Sequence, residues 1–95
     1  MPAYLIADLS VTDPALYAEY RGGVAPVVAR FGGEFLVRGG AVHPMEGTPP
    51  DRVVVVRFRD IAAARAFYDS PDYAPLLALR LRAATGSLAF VEGVA

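Results

Sequence analysis

Residues 52–58 read Arg-Val-Val-Val-Val-Arg-Phe, which is the most β-prone run in the sequence, because branched side chains fit the pleated surface of a sheet. An apolar run of this kind is typical of a central strand that is buried on both faces. A second strand is predicted over Glu34–Val42, with a bulge at Gly39-Gly40, and the turn-rich loop 43–51 joins the two. This strand pair is the framework around which the other elements can be arranged.

The N-terminal third predicts a strand over Tyr4–Leu9 and then a long helix. Asp13 followed by Pro14 marks the helix start, since a carboxylate caps the first turn and proline is tolerated at the first helical position. Apolar residues recur at helical spacing until Gly32-Gly33. The interior residues Gly22, Gly23 and Pro26 disfavour a regular helix, so a kink or a helix in two pieces is predicted.

The C-terminal third predicts two shorter helices and a strand. Asp60 caps a helix over Ile61–Asp69, and Ser70-Pro71 separates it from a further helix over Asp72–Ala84. Thr85-Gly86 is predicted to turn the chain into a last strand, Ser87–Glu92. The element order is therefore β-α-β-β-α-β, which predicts a single ferredoxin-like α+β domain over residues 1–95. Right-handed connections favour an antiparallel sheet of order 4-1-3-2 with the helices on one face.

Side-chain alternation predicts one sheet face without charge, which should lie under the helices: Leu5, Ala7, Leu9, Phe35, Val37, Val54, Val56, Phe58, Ala89 and Val91. The other face is mixed: Tyr4, Ile6, Asp8, Glu34, Leu36, Arg38, Val53, Val55, Arg57, Leu88, Phe90 and Glu92. Four short strands give this mixed face an area of roughly 300 Å², near the limit that soluble monomers expose. We therefore expect a homodimer with its sheets face to face, which buries Tyr4, Ile6, Val53, Val55 and Phe90.

The composition limits the chemistry. Apolar residues make up 55% and the formal net charge is −1, so nothing indicates a nucleic-acid or membrane partner. No stretch indicates a signal peptide or a membrane span, and we expect a cytoplasmic protein. The chain has no cysteine and a single histidine, so neither a metal site nor a cofactor is predicted. All nine basic residues are arginines, since lysine is absent.

One end of the mixed face holds the candidate catalytic residues. Arg38 and Asp8 are predicted to lie at the same end of the sheet, with His43 just beyond the flexible pair Gly39-Gly40. Arg38 is suited to binding a ligand carboxylate or enolate, and Asp8 or His43 to moving a proton. The alternative is an Arg38–Asp8 salt bridge with His43 as an ordinary loop residue. At the other end of this face, Arg57 is expected to pair with Glu34.

Tyrosines are the remaining candidates for ligand contacts. Tyr17 and Tyr20, together with Tyr68 and Tyr73, are predicted to line a pocket between the helices and the sheet, and Tyr4 is a further ligand-binding candidate on the sheet. The alternative is that these side chains belong to the core, with their hydroxyls at its edge.

A set of short motifs is similar to a bacterial family called domain of unknown function 1330. These motifs are Tyr4-Leu-Ile-Ala, Asp13-Pro14, Tyr17-x-x-Tyr20, Gly32-Gly33, Leu36-Val-Arg-Gly-Gly40, Arg57-Phe58, Phe67-Tyr-Asp-Ser-Pro-Asp-Tyr73 and Arg82-Ala-Ala-Thr85. The resemblance implies a dimeric α/β barrel, in which two subunits enclose a barrel between their sheets. It implies no particular activity, because the wider superfamily includes cofactor-free monooxygenases, haem-degrading enzymes, isomerases and ligand-sensing modules.

Two functions remain open on this basis. One is a cofactor-independent enzyme that acts on a small apolar or aromatic acid. The other is a non-catalytic homodimer that binds a ligand or has a stress-associated role. A cavity at the Arg38 end would favour ligand binding, whereas a filled interior with every charge paired would favour a structural role.

Overall fold

The computed structural model describes residues 1–94. The elements are β1 (Ala3–Val11), α1 (Pro14–Arg30), β2 (Glu34–Arg38), β3 (Arg52–Phe58), α2 (Ile61–Tyr68), α3 (Ala74–Ala83) and β4 (Ala84–Glu92). The four strands form one antiparallel sheet of order β2-β3-β1-β4. This is the predicted 4-1-3-2 order seen from the other side, and it confirms the ferredoxin-like α+β fold.

The core lies between the helices and one side of the sheet, which we call the helix face. Leu5, Ala7 and Leu9 of β1 are buried there, beside Val56 and Phe58 of β3. The first turns of α1 and α2 are capped as predicted, because Asp13 accepts a hydrogen bond from the Leu16 amide and Asp60 accepts one from the Ala63 amide. These caps satisfy amides that have no partner within the helix.

Helix α1 is continuous from Pro14 to Arg30, so of the two predicted alternatives, a kink or a helix in two pieces, the second is wrong. Proline has no amide hydrogen, so Pro26 gives no helical bond to the Gly22 carbonyl. Both residues are exposed, and water can satisfy that carbonyl. Glycine at position 23 lets α1 and α3 pack closely, since a Cβ there would lie 2.7 Å from the Leu76 side chain of α3.

Strand β2 ends at Arg38, not at the predicted Val42, and its bulge lies near Leu36, not at Gly39-Gly40. Phe35 pairs with Val56, but Val37 pairs with Val55, so Leu36 is an extra residue. A bulge of one residue reverses the alternation beyond it. Val37 therefore lies on the side away from the helices, and Arg38 lies on the helix face.

Strand β4 begins at Ala84, so Thr85-Gly86 is part of the strand and not the predicted turn. Phe90 pairs with Leu5 and Leu88 pairs with Ala7, which places both on the helix face, opposite to the prediction. Ala89 and Val91 consequently lie on the other side. Residues 88–91 are all apolar, so alternation alone could not show which pair is buried.

The side of the sheet away from the helices, which we call the open face, is rich in apolar residues. Ile6, Val37 and Val91 are exposed there, and Val53 and Val55 are half-buried. Arg57 and Asp8 are at its ends in the register of β1 and β3. Across residues 1–94, no helix has the length and apolar character needed to cross a membrane.

Candidate functional site

A cavity lies between α1, α3 and the helix face of the sheet. All four strands contribute to its wall, through residues such as Phe35, Val54, Leu5 and Leu88. Its enclosed volume is about 30 Å³, which is enough for one or two water molecules. Apart from two tyrosines and three arginines, its lining is apolar.

Arg38 lines this cavity from the edge strand β2. Its guanidinium lies 4.4 Å from the centre of the Phe35 ring, and its Nη2 donates a 2.8 Å hydrogen bond to the backbone carbonyl of Arg21 on α1. Burial, and then the nearby charges of Arg21 and Arg52, lower the pKa of Arg38. Among residues 1–94, no carboxylate forms an ion pair with Arg38.

Arg52 lies next to Arg38 on the helix face. It is the β3 partner of Leu9, and its Nε donates a 3.0 Å hydrogen bond to the Tyr17 hydroxyl. Gly39 makes room for this side chain: its φ is +70°, and a Cβ there would lie 2.5 Å from the Arg52 guanidinium carbon. Only glycine fits this position without strain. The geometry therefore concentrates positive charge beside the cavity.

Two tyrosine hydroxyls lie deeper in the fold. Tyr20 lines the cavity, and its hydroxyl is 3.0 Å from that of Tyr73, which is fully buried. Burial, reinforced by Tyr73, raises the pKa of Tyr20. Tyr20 is therefore protonated at neutral pH. In this state its hydroxyl can donate or accept a hydrogen bond with a ligand but cannot act as a base.

The structure separates the predicted catalytic residues. Asp8 is on the open face, where its carboxylate accepts a 2.9 Å hydrogen bond from the Asp51 amide, whereas Arg38 is on the helix face. The predicted proximity of Arg38 and Asp8 is therefore wrong, and the reversal at the β2 bulge is the reason. His43 is exposed in the loop after β2 and does not line the cavity.

Of the ligand-contact candidates, Arg38, Tyr17 and Tyr20 share the cavity wall. Tyr4 does not, because it pairs with Arg57 and Val91 on the open face. Tyr68 and Tyr73, which were also predicted to line the pocket, do not line this cavity and pack in the core, 5.6 Å apart between ring centres.

The predicted Arg57–Glu34 ion pair is not formed. The two residues are register partners on β3 and β2, but both side chains are exposed and point into water. Within the described chain, the ion pairs are Arg30–Asp72 and Arg59–Asp60.

Sequence reasoning missed three arginines in or beside the cavity wall: Arg21, Arg52 and Arg80. The sequence contained a signal for Arg80, because this charged residue lies at helical spacing from Tyr73, Leu76 and Leu77 on the apolar side of α3. Arg52 had a weaker one, since it begins the most apolar strand at the position that alternates with Val54 and Val56.

Comparison with solved structures identifies proteins of the same fold. A crystal structure of a protein of unknown function from Rhodopseudomonas palustris superposes with a TM-score of 0.76 at 21% identity, covering 99% of this chain and 83% of the other. A crystal structure described as the methylated form of that protein gives a TM-score of 0.77 at 20% identity, covering 99% and 82%.

SnoaB from Streptomyces nogalater, a cofactor-independent oxygenase, has a TM-score of 0.71 at 16% identity, with coverage of 99% and 94%. At these identities the similarity establishes the fold alone. A search of curated proteins found no match.

The sequence itself matches one family over nearly its whole length. The match spans residues 2–94, and the family is described as a domain of unknown function, DUF1330. It agrees with the motifs that run from Tyr4 to Thr85. This chain therefore belongs to the DUF1330 family.

Proposed function

We propose that the protein binds a small apolar or aromatic carboxylic acid in the cavity between α1 and the sheet. The observation that carries this proposal is Arg38, a guanidinium on the wall of an otherwise apolar cavity with no ion-pair partner among residues 1–94. A planar guanidinium donates two parallel hydrogen bonds to a carboxylate, and such pairs are among the strongest that proteins form.

The surroundings of Arg38 hold it ready for such a ligand. The Arg21 carbonyl and the Phe35 ring fix one side of the guanidinium, while a guanidinium has five N–H donors in total. Arg52 adds a second positive charge nearby, so an anion gains from both. The apolar wall would receive the ring or alkyl chain of the acid.

The cavity must widen to admit this ligand. A benzene ring exceeds the enclosed volume of about 30 Å³, so side chains at the mouth have to move. Arg21 is exposed and Arg38 is half-buried there, and long side chains at a surface change rotamer within nanoseconds. Binding therefore requires the side chains that line the cavity, as well as those at its mouth, to rearrange.

Thermal unfolding with a panel of small carboxylates tests this proposal. At ten times the dissociation constant, a ligand stabilises the fold by about 1.4 kcal/mol, which corresponds to roughly 6–11 °C in a domain of this size. We expect benzoate or cinnamate to raise the unfolding temperature, their neutral amides to have no effect, and Arg38→Ala to abolish the shift.

Arg57→Ala is the matched control, because Arg57 is an exposed arginine on the opposite side of the sheet. Arg57→Ala should show the same rise in unfolding temperature with the acids as the wild type. If no acid stabilises the wild type, or if Arg38→Ala is stabilised equally, the assignment of Arg38 to an acid site is wrong.

Cofactor-independent oxygenation is the second candidate, and the fold shared with SnoaB supports it. Oxygenation without a cofactor needs an electron-rich, ionised substrate, and nearby cations favour that form. No carboxylate or histidine lines the cavity in the described part of the chain, so the substrate would have to ionise without a carboxylate or imidazole base. Oxygen uptake with each acid that binds distinguishes an oxygenase from a binding protein.

We also propose that the open face forms a homodimer interface. Three exposed apolar residues, Ile6, Val37 and Val91, lie there beside half-buried valines of β3. Phe90 was predicted to lie in this interface, but it packs against Tyr68 on the helix face and is therefore left out of it. A second copy of the sheet would cover the remaining apolar side chains with the same surface.

A further inference from the structure

Arg80 is a buried arginine whose guanidinium is not fully hydrogen-bonded. Its side chain extends from α3 into the wall of the cavity, and the residue is 7% exposed. Within residues 1–94, its Nε is the one buried side-chain polar atom that lacks a hydrogen bond. Neither of the ion pairs in that part of the chain includes Arg80.

This arrangement is costly for the fold alone. A guanidinium is charged at any pH at which the protein is folded, and a buried charge is normally paired or hydrogen-bonded. A leucine or methionine at this place would continue the apolar side of α3 and avoid the penalty. The unsatisfied donor therefore indicates an acceptor that arrives with a ligand.

The topology brings Arg80 and Arg38 to the cavity from different sides. Arg38 is on the outer strand β2, whereas α3 leads directly into β4, the outer strand at the opposite edge. Three strand spacings, about 14 Å in all, separate these outer strands. Tyr20 lies close enough to Arg80 for the guanidinium charge to act on the pKa of its hydroxyl, so the interior wall presents both a cation and a phenol.

We infer that Arg80 is a second ligand-binding residue, which selects acids that carry another acceptor oxygen at the end away from the carboxylate. This inference rests on the acid site proposed above. The carboxylate binds Arg38, the apolar body fills the cavity, and a phenolic, keto or second carboxylate oxygen accepts a hydrogen bond from Arg80. The ligand class is therefore elongated hydroxy, keto or dicarboxylic acids.

Calorimetric titration with matched acids tests this selectivity. Cinnamate, 4-hydroxycinnamate and 4-carboxycinnamate share one carbon frame and differ in the distal group. We expect the wild type to bind at least one of the two substituted acids tenfold or more tightly than cinnamate. Arg80→Met, which keeps an unbranched apolar stem but removes the donors, should reduce this preference to less than twofold and leave cinnamate binding unchanged.

Arg82→Met is the matched control, since Arg82 is an exposed arginine of the same helix, and it should keep the wild-type preference. Arg80→Met should also unfold, without ligand, at the same temperature as the wild type or higher. A lower temperature, or failure to fold, would give Arg80 a structural role and overturn the inference.

The outcomes for the two proposals are distinguishable. If the wild type binds all three acids equally and loses them on Arg38→Ala, the acid site stands and the role of Arg80 is refuted. The same holds if Arg80→Met keeps the preference. If none of the three acids binds the wild type, both proposals are refuted together.

Discussion

Replacing Ile6 by aspartate should dissociate the homodimer that we propose. Ile6 is on the central strand β1, is 42% exposed in the single chain, and lies between Val55 and Ala89 on the open face. Its neighbour Asp8, two residues along the same strand, is also acidic. A carboxylate at position 6 would thus be surrounded by apolar side chains and a like charge.

The expected effect is large because the interface would contain the substitution twice. A buried carboxylate without a partner costs roughly 3 kcal/mol or more, and a two-fold axis doubles this cost. About 6 kcal/mol weakens the dimer dissociation constant by about four orders of magnitude. In the separate chain the new carboxylate stays in water, so the fold itself should lose no more than about 1 kcal/mol.

Size-exclusion chromatography with light scattering at micromolar concentration measures this directly. The wild type should have close to twice the chain mass of 10.1 kDa, and Ile6→Asp should have the mass of one chain with an unchanged circular dichroism spectrum. Ala62→Asp, on the exposed first turn of α2, should remain a dimer. A monomeric wild type, or a dimeric Ile6→Asp variant, would refute the interface.

Two further substitutions test the fold. In Gly86→Ala the added Cβ would lie 2.0 Å from the Asp8 carbonyl oxygen. Urea denaturation should therefore show that the free energy of unfolding falls by at least about 2 kcal/mol, because the β1–β4 pairing is strained. An unchanged denaturation midpoint would contradict that close approach. The amide of Ala63 lowers the pKa of Asp60. The cap formed by the Asp60 carboxylate therefore stabilises the fold at pH values above the ordinary Asp pKa of 3.8. This contribution is lost as the pH falls through the folded-state pKa of Asp60. Thermal unfolding measured from neutral to acidic pH should show that loss of stability in the wild type but not in Asp60→Asn. Parallel curves of unfolding temperature against pH for the two proteins would contradict this prediction.

The sequence was sufficient for the elements and their order. The valine run of β3, the capped helix starts at Asp13 and Asp60, and the apolar spacing of α1 are local signals, and each acts within a few residues of the chain. The β-α-β-β-α-β order then leaves few right-handed arrangements. These signals also placed Arg38, Tyr17 and Tyr20 among the candidate ligand contacts, and all three line one cavity.

Tertiary structure alone decided which side of the sheet each of the outer strands presents to the core. Strands β2 and β4 contain apolar residues at consecutive positions, so both alternations bury apolar surface and the pattern is ambiguous. Pairing with β3 and β1 resolved it, through the bulge near Leu36 and the register of Phe90 with Leu5. Because a shift of one residue exchanges the two faces, Arg38 lies beside Tyr17 and Arg52 under the helices, and Asp8 lies on the other side of the sheet.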